Sequence, residues 1–345
     1  MRVGIQKDYY NQECDFLLKY FEILKANNIE CVWMDINEGS FWNEVKKLDL
    51  FIYRWRHFDN DKNIALTIMP IIENDLGIKV FPDQNTSWHF DDKIKQYFLL
   101  SSHGYPFTEC WVFWNKEKAL DWAENAVYPM IFKLKGGAGS SNVVKVENLS
   151  SAKNLIKTMF GSGIMSGLLP IKSSTRNKDL NLDKYFRSIA RKTINLFKGK
   201  ETSPFWQIDK NYVLFQKFLP GNKFDTRITI IGNRAFGFRR MTRKDDFRAS
   251  GSGNIDHDKS KIDLECVKIA FEISNKLKFQ SMAYDFLYNE NGDTEICEIS
   301  YTFQDRAVYN CDGYWDQDLE WHDGHFWPQY CHLSDALNNN NLVTI

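Results

Sequence analysis

Two periods of apolar positions alternate along the first 82 residues of the chain. Four short apolar runs have the character of buried strands: residues 1–6, 29–36, 49–55 and 78–82. Residues 14–28 and 63–77 instead repeat their apolar positions at the spacing of one helix face. Because strands that alternate with helices of this length form parallel sheets, this region predicts a small, mostly parallel α/β unit.

Three polar side chains lie at the end of the third predicted strand, namely Arg54, Arg56 and His57. Ligands approach an α/β sheet of this kind at the carboxyl ends of its strands. We therefore expect these three side chains to lie where a substrate can contact them.

The next segment predicts helices at residues 91–104 and 115–127, followed by a strand, a glycine-rich loop and a second strand over residues 128–146. The loop consists of Gly136, Gly137, Ala138, Gly139, Ser140 and Ser141. Its backbone N–H groups can form a nest around phosphate oxygens, and Lys133 can add a positive charge. A tight hairpin turn is the alternative. The loop is not a Walker sequence, because no Gly-Lys-Ser/Thr follows and no helix opens after it.

Strand patterns dominate from residue 211 onward, with one helix predicted at residues 263–277. The strands are predicted at residues 211–219, 224–232, 234–242, 282–289 and 293–300. A turn signal at residues 290–293 joins the last two strands as a hairpin, which brings Asp285 and Glu298 almost opposite each other. Two facing carboxylates repel unless a cation lies between them, and carboxylate oxygens suit Mg²⁺. The alternative is that each carboxylate pairs with a nearby arginine.

The changes of pattern divide the chain into five predicted units. They are an α/β domain at 1–85, a small subdomain with the glycine loop at 86–160, an insertion or lid at 161–210, a large subdomain with the metal site at 211–310, and a tail that packs on the body at 311–345. Within the insertion, residues 183–200 predict a basic amphipathic helix. Its basic residues form either a solvated face or a cover over an anionic substrate.

Composition and charge narrow the class of protein. The net charge of the 345 residues is −1, which gives no electrostatic reason to expect a nucleic acid or an anionic membrane as partner. The seven cysteines contain no Cys-x-x-Cys pair, which is typical of free thiols in a reducing compartment. The start of the chain has no apolar signal core, and no apolar run reaches the ~18 residues of a membrane helix. We expect a cytoplasmic protein.

The order of these features resembles the ATP-grasp superfamily over roughly residues 80–305. Lys93, in an Asp-Lys pair, matches the first phosphate lysine of that family, and Lys133 matches the second, with the glycine loop as the flap. The adenine hinge of the family matches Gln216, Lys217, Phe218 and Leu219. The pattern is most similar to the branch of the ribosomal-protein glutamate ligase and glutathione synthetase.

Further matches carry the rest of the site. Asp225 falls on the ribose contact of the glutamate-ligase branch, and the segment 247–250, which contains Arg248, falls on its Phe-Arg-Ser-Asn motif. Asp285, Glu298 and Ser300 fall on the metal pattern of the family. Two positions depart from the family pattern: Ser300 stands where the family has asparagine, and the glycine that usually follows is absent.

The resemblance implies a fold and an activity. The fold would be a parallel α/β domain followed by an ATP-grasp, in which two subdomains hold ATP between antiparallel sheets. The cofactors would be ATP with one or two Mg²⁺ ions, or Mn²⁺. A substrate carboxylate would form an acyl phosphate that an amine then displaces, with Arg227, Arg240 and Arg248 stabilising the transferred charge.

Two other functions remain open. One is a phosphotransferase that acts on a hydroxyl or amide, and the other is a nucleotide-binding module without turnover. The expected partners are a small-molecule carboxylate and a small-molecule amine, with no nucleic acid and no membrane. The sequence leaves the oligomeric state open, a homodimer included.

Overall fold

The computed structural model of the protein describes residues 1–8, 14–137, 142–166, 208–243, 247–249 and 253–345. Four predicted loop residues lie outside the described residues, namely Ala138, Gly139, Ser140 and Ser141. The helix predicted at 183–200 also lies outside them. Of the predicted insertion, the structure describes the two ends, where the short strands β8 (Ile164–Met165) and β9 (Ile208–Asp209) pair with each other.

The N-terminal unit is built on a parallel sheet. Its strands are β1 (Arg2–Gln6), β2 (Glu30–Met34), β3 (Leu50–Ile52) and β4 (Lys79–Phe81), in the order β2-β1-β3-β4. Its helices are α1 (Asp15–Ala26), α2 (Phe41–Val45) and α3 (Asp59–Pro70), which continues as a π-helical turn at Ile71–Asp75. All three strand pairings are parallel, which confirms the predicted α/β unit.

A small antiparallel sheet follows. Its strands are β5 (Cys110–Phe113), β6 (Met130–Lys133), β7 (Val143–Val146) and β10 (Val213–Lys217), in the order β5-β10-β6-β7. The helices around it are α4 (Gln84–Ser87), α5 (Lys93–Ser102), α6 (Lys116–Asn125) and α7 (Leu149–Met159). Strand β5 and helix α7 are absent from the sequence prediction, whereas the strands on both sides of the glycine loop are confirmed.

A large antiparallel sheet forms the second half of the molecule. Its strands are β11 (Phe224–Ile231), β12 (Arg234–Met241), β13 (Ile255–Asp256), β14 (Ser281–Tyr288), β15 (Thr294–Ser300), β16 (Gly313–Trp315) and β17 (Trp321–Asp323). The main order is β15-β14-β11-β12-β16-β17, with β13 beside β12. The helices are α8 (Leu264–Leu277), α9 (Asp305–Tyr309) and α10 (Pro328–Leu337), with a 3₁₀ turn at Lys259–Lys261.

The small and large sheets meet beside β15. The backbone of Ile296 donates to Pro106 at 2.7 Å and accepts from Thr108 at 2.8 Å. Both backbone groups of Ile296 are therefore paired at this strand edge. The two bonds hold residues 106–108, which lead into β5, alongside β15. Helix α5 precedes this junction, and its first residue, Lys93, lies 3.2 Å from Glu298 on β15.

The last helix ties the N-terminal unit to the large sheet. The buried ring of His332 in α10 makes hydrogen bonds to the Tyr20 hydroxyl of α1 at 2.7 Å and to the Ser281 hydroxyl of β14 at 3.1 Å. Leu333 and Leu337 join the core that α1 forms on the parallel sheet. No helix in the described part of the chain has the length and apolar character needed to span a bilayer.

Candidate active site

Helix α5 begins with the lysine that matches the first phosphate lysine. Asp92 caps this helix, because its carboxylate accepts from two backbone N–H groups of the first turn, both at 3.1 Å. Lys93 is 5% exposed, and its ammonium donates to the Gly137 carbonyl at 3.0 Å and lies 3.2 Å from a Glu298 carboxylate oxygen. Burial alone would lower the pKa of Lys93, but the charges of Glu298 and Asp91 outweigh burial and raise it. Lys93 therefore contacts both the start of the glycine loop and Glu298 on β15.

The second lysine of the pattern, Lys133, is buried at the end of β6. It is 8% exposed, and within the described residues its ammonium has neither an ion pair nor a hydrogen bond. Lys133 lies opposite Leu214, and Ile131 lies opposite Gln216, so Lys133 and Gln216 share one face of the small sheet. A buried ammonium without a counter-charge is costly, so an anion bound on this face would stabilise it.

The described part of the glycine loop approaches the backbone of a neighbouring segment closely. A Cβ at Gly136 would come within 3.1 Å of an Asp91 carboxylate oxygen, which leaves little space for any side chain there. Gly137 has φ of 108°, a left-handed conformation that favours glycine, and its N–H donates to Asp91 at 2.8 Å. The loop start is thus fixed in place, as a phosphate nest requires.

The segment that matches the adenine hinge ends strand β10. Gln216 is buried, and its side-chain amide lies 3.5 Å from both the Cys110 sulfur and the Cys297 carbonyl oxygen. Lys217 continues the ladder through its N–H, and Leu219 is buried. The ring of Phe218 packs against Phe247, with centroids 5.8 Å apart, and the Lys145 ammonium lies 4.6 Å from its centroid.

Four charged side chains form one buried network across β12, β11 and β14. Arg227 donates to both oxygens of Asp285, at 2.6 and 2.8 Å. Arg240 donates to both oxygens of Asp225 at 2.7 Å and also to Asp285 at 2.6 Å. Adjacent residues of β12 point to opposite faces, so Arg240 enters the network whereas Arg239 lies over the Phe224 ring.

Electrostatics within the network differ between its two carboxylates. Burial is the largest influence on Asp225, and it raises the pKa of this carboxyl above its ordinary value even beside Arg240. Burial alone would also raise the pKa of Asp285, but the charges of Arg227 and Arg240 outweigh it and hold that pKa well below the usual range. Asp285 is therefore the firmly ionised member of the pair.

The residues predicted to hold metal lie on one hairpin, and Asp285 is directly opposite Glu298, as the sequence predicts. Ser300 donates to the Thr302 carbonyl at 2.9 Å, so its hydroxyl takes part in a local turn. No cluster of three or more His, Cys, Asp or Glu side chains able to hold a metal occurs among the described residues. Glu298 is only partly buried and fits a Mg²⁺ ion that also takes oxygens from substrate phosphates. Asp285 and Ser300 as ligands stay a prediction.

The three residues predicted to contact substrate lie beyond β3. Arg54 lies over the Phe16 ring at 4.1 Å, and Arg56 pairs with Asp8 at 2.5 Å. The ring nitrogen Nδ1 of His57 lies 3.1 Å from Asp91. His57 is therefore adjacent to the loop start.

Arg248, predicted to act on transferred charge, is buried beside Phe247, with its guanidinium 5.8 Å from the ring centroid. Its carbonyl accepts from the Arg243 N–H at 3.4 Å. Its role in binding or catalysis stays a prediction.

Sequence reasoning missed Asp91. The signal that could have identified Asp91 is the pair of aspartates before Lys93. Only Asp92 is needed to cap the helix, so the second carboxylate has another role. Asp91 contacts Gly137, His57 and Lys62 instead.

Comparison of the sequence with models of protein families and with curated proteins gives no match. The structure, in contrast, matches solved structures at low identity. A RimK domain ATP-grasp protein from Sphaerobacter thermophilus matches with a TM-score of 0.55 and 13% identity, over 98% of this chain and 100% of that chain. N5-carboxyaminoimidazole ribonucleotide synthetase from Thermotoga maritima matches with a TM-score of 0.60 and 11% identity, over 99% and 78%. D-alanyl-alanine synthetase A from Vibrio cholerae matches with a TM-score of 0.59 and 10% identity, over 98% of each chain.

The order of the sheets and the structural matches agree on one fold. The protein has the ATP-grasp fold, with a parallel α/β domain ahead of the two antiparallel sheets, as the sequence resemblance implies.

Proposed function

We propose that the protein is an ATP-dependent ligase that joins a carboxylate to an amine through an acyl phosphate, releasing ADP and phosphate. The observation that carries the proposal is the pair of buried lysines, Lys93 at the start of α5 and Lys133 at the end of β6. Lys133 has no counter-charge among the described residues, and Lys93 reaches both the glycine loop and Glu298. Structural neighbours named as synthetases and as an ATP-grasp protein support the general class.

Positioning and charge would supply the catalysis. Lys93, Lys133 and the N–H groups of the loop would hold the phosphates, while the hinge after Gln216 would receive the adenine. Mg²⁺, held in part by Glu298, would neutralise phosphate charge when bound with ATP. No protein nucleophile is required.

The reaction would take place in two steps. A substrate carboxylate oxygen attacks the γ-phosphorus, and the bond to ADP breaks with its electron pair leaving on ADP. An amine nitrogen then attacks the acyl carbon, the carbon–oxygen bond to phosphate breaks, and phosphate leaves with the electron pair. The proton lost by the amine passes to solvent. Arg54, Arg56 and His57 lie at the sheet edge where these substrates would enter.

A nucleotide-binding module without turnover is the second candidate, and one observation favours it. Both oxygens of Asp285 are occupied by arginines, and Ser300 bonds within its own turn. Because these oxygens are already engaged, Asp285 and Ser300 are a poor ligand set for a second metal ion.

The test measures ADP release from Mg-ATP with a pool of carboxylic acids, a pool of amines, and both together, with mass detection of the condensed product. The ligase should release ADP and phosphate fully only with both pools. ADP release with a phosphorylated product would favour a phosphotransferase instead, and tight Mg-ATP binding without turnover would favour the binding module.

A matched pair of variants on β15 sharpens the test. Glu298→Gln should lower turnover at least about 100-fold, because the charged oxygen ligand that would hold Mg²⁺ at the phosphates is lost, an effect of the size seen for electrostatic groups in active sites. Glu295→Gln is the control, since its carboxylate receives only a 3.3 Å contact from Asn289 among the described residues. Equal turnover in the two variants would contradict the placement of the site.

A further inference from the structure

Asp91 occupies an unusual position between the N-terminal unit and the glycine loop. Its side chain is 3% exposed, and one oxygen, Oδ1, accepts from the Gly137 N–H at 2.8 Å and lies 3.1 Å from His57 Nδ1. The other oxygen, Oδ2, accepts from the Lys62 ammonium at 3.0 Å. One carboxylate thus joins the end of β3, helix α3 and the loop.

The backbone of Asp91 is held in the left-handed region, with φ of 53°. This conformation is uncommon outside glycine, and aspartate is among the side chains that tolerate it. In this conformation the carboxylate lies within hydrogen-bond distance of the Gly137 N–H, so Asp91 and the start of the loop are arranged together. The built position of a Cβ on Gly136, 3.1 Å from Oδ2, shows how closely they fit.

Both backbone polar groups of Gly137 are held by side chains. Asp91 accepts from its N–H, and the Lys93 ammonium donates to its carbonyl. If Lys93 bound phosphate oxygens of a nucleotide, its bond to the Gly137 carbonyl would weaken, whereas the bond from the Gly137 N–H to Asp91 would remain. Asp91 is not needed for the phosphates themselves, because an anion would repel them.

We infer that Asp91 is a positioning residue that keeps the start of the glycine loop in place for the phosphates of ATP, and that Lys62 acts through it. The inference rests on the proposed nucleotide site but not on ligation. The groups that face Asp91 are His57, Lys62 and Lys93, and the Asp59 carboxylate lies 3.1 Å from Lys62.

The experiment compares the binding of Mg-ATP and of adenosine by titration calorimetry. Adenosine uses the hinge and lacks phosphates, so it reports on the site without the loop. Asp91→Gly removes the carboxylate and adopts the backbone without strain, whereas Asp91→Asn keeps a neutral acceptor. We expect Asp91→Gly to weaken Mg-ATP about tenfold or more, the loss of one charge-assisted bond. Asp91→Asn should weaken it less, and adenosine should stay within about twofold in both.

Two further variants test specificity. Asp83→Asn changes a carboxylate that caps α4 and should leave both affinities unchanged, because asparagine caps a helix equally well. Lys62→Met should weaken Mg-ATP, and adding it to Asp91→Gly should produce no further loss, because residues that act through one another are not additive.

Each outcome decides. If the unaltered protein does not bind Mg-ATP, the proposed function fails and this inference fails with it. If it binds but Asp91→Gly binds Mg-ATP equally well, the inference alone is overturned. Parallel loss of Mg-ATP and adenosine would assign Asp91 a general structural role, which also overturns it.

Discussion

Replacement of Arg240 by methionine tests the buried charge network. Arg240 supplies both hydrogen bonds that the Asp225 carboxylate receives from arginine, whereas Asp285 retains Arg227. The four charges cancel in pairs, so Arg240→Met leaves one excess negative charge on Asp225, which is 6% exposed.

The expected loss can be bounded in two ways. Removing one partner of a buried ion pair costs about 3–5 kcal/mol in the free energy of unfolding. Asp225 can instead take up a proton. At pH 7 this costs about 4 kcal/mol, because the ordinary pKa of a carboxyl lies about three units below that pH. Because protonation limits the penalty, we expect a loss of about 3–4 kcal/mol at pH 7.

The pH dependence follows from the same reasoning. In the variant the pKa of Asp225 in the folded state lies further above the unfolded value, so its penalty is present at neutral pH. The penalty shrinks as the pH falls toward about 4, where the unfolded carboxyl also becomes protonated. Arg240→Met should therefore differ less from the unaltered protein at pH 4.5 than at pH 7.

The assay is urea unfolding followed by circular dichroism. Arg239→Met is the matched control, because Arg239 lies on the opposite face of β12 over the Phe224 ring, and we expect it to cost below about 1 kcal/mol. Adding Asp225→Asn should recover most of the stability lost in Arg240→Met. If Arg240→Met is no more destabilising than Arg239→Met, the charge network is not what holds these strands.

Three more predictions concern binding, pH and backbone. Lys133→Ala should weaken Mg-ATP binding about 10- to 100-fold in calorimetry, the value of a charge-assisted bond, whereas Lys153→Ala on α7 should not; equal binding would place the phosphates elsewhere. Burial lowers the pKa of His332 to about 3. The free energy of unfolding should therefore be full above pH 6.5 and fall as the pH drops toward 3, by up to about 1.4 kcal/mol per pH unit. His332→Gln should flatten this slope in unfolding curves. Gly232→Ala should destabilise by about 1–3 kcal/mol in the same assay, since φ is 57° and a Cβ would collide with the Asp335 carboxylate; unchanged stability would show that this turn relaxes.

Much of the fold follows from the sequence, because its strongest signals are local. The apolar runs of the N-terminal unit and the turn before Asp293 determine strands whose partners lie near in the chain. The opposition of Asp285 and Glu298 follows from one hairpin. Strand β5 escaped prediction because its partner strand, β10, lies about one hundred residues later in the chain.

Helix α7 is different, since its signal is present in the sequence. Asn148 caps it, and its buried positions Ala152, Leu155, Ile156 and Met159 repeat at helix spacing. The sequence interpretation stopped at the strand before it.

The candidate site depends on how subdomains meet, which local patterns do not contain. No periodicity indicates that Lys93 reaches Glu298, or that Asp91 bonds to Gly137. Alternation along a strand turns one of two adjacent arginines inward, but only the neighbouring strands decide that Arg240, not Arg239, contacts two aspartates.

The contacts of α10 have a consequence for biosynthesis. His332 bonds to Tyr20, Leu333 and Leu337 complete the apolar layer beneath α1, and Asn27 pairs with the backbone of Val343. A nascent chain that has emerged only as far as α9 therefore has an incomplete apolar core in its N-terminal unit. The N-terminal unit can reach its final packing only after the last of these residues has left the ribosome, and until then part of its apolar core lacks its cover.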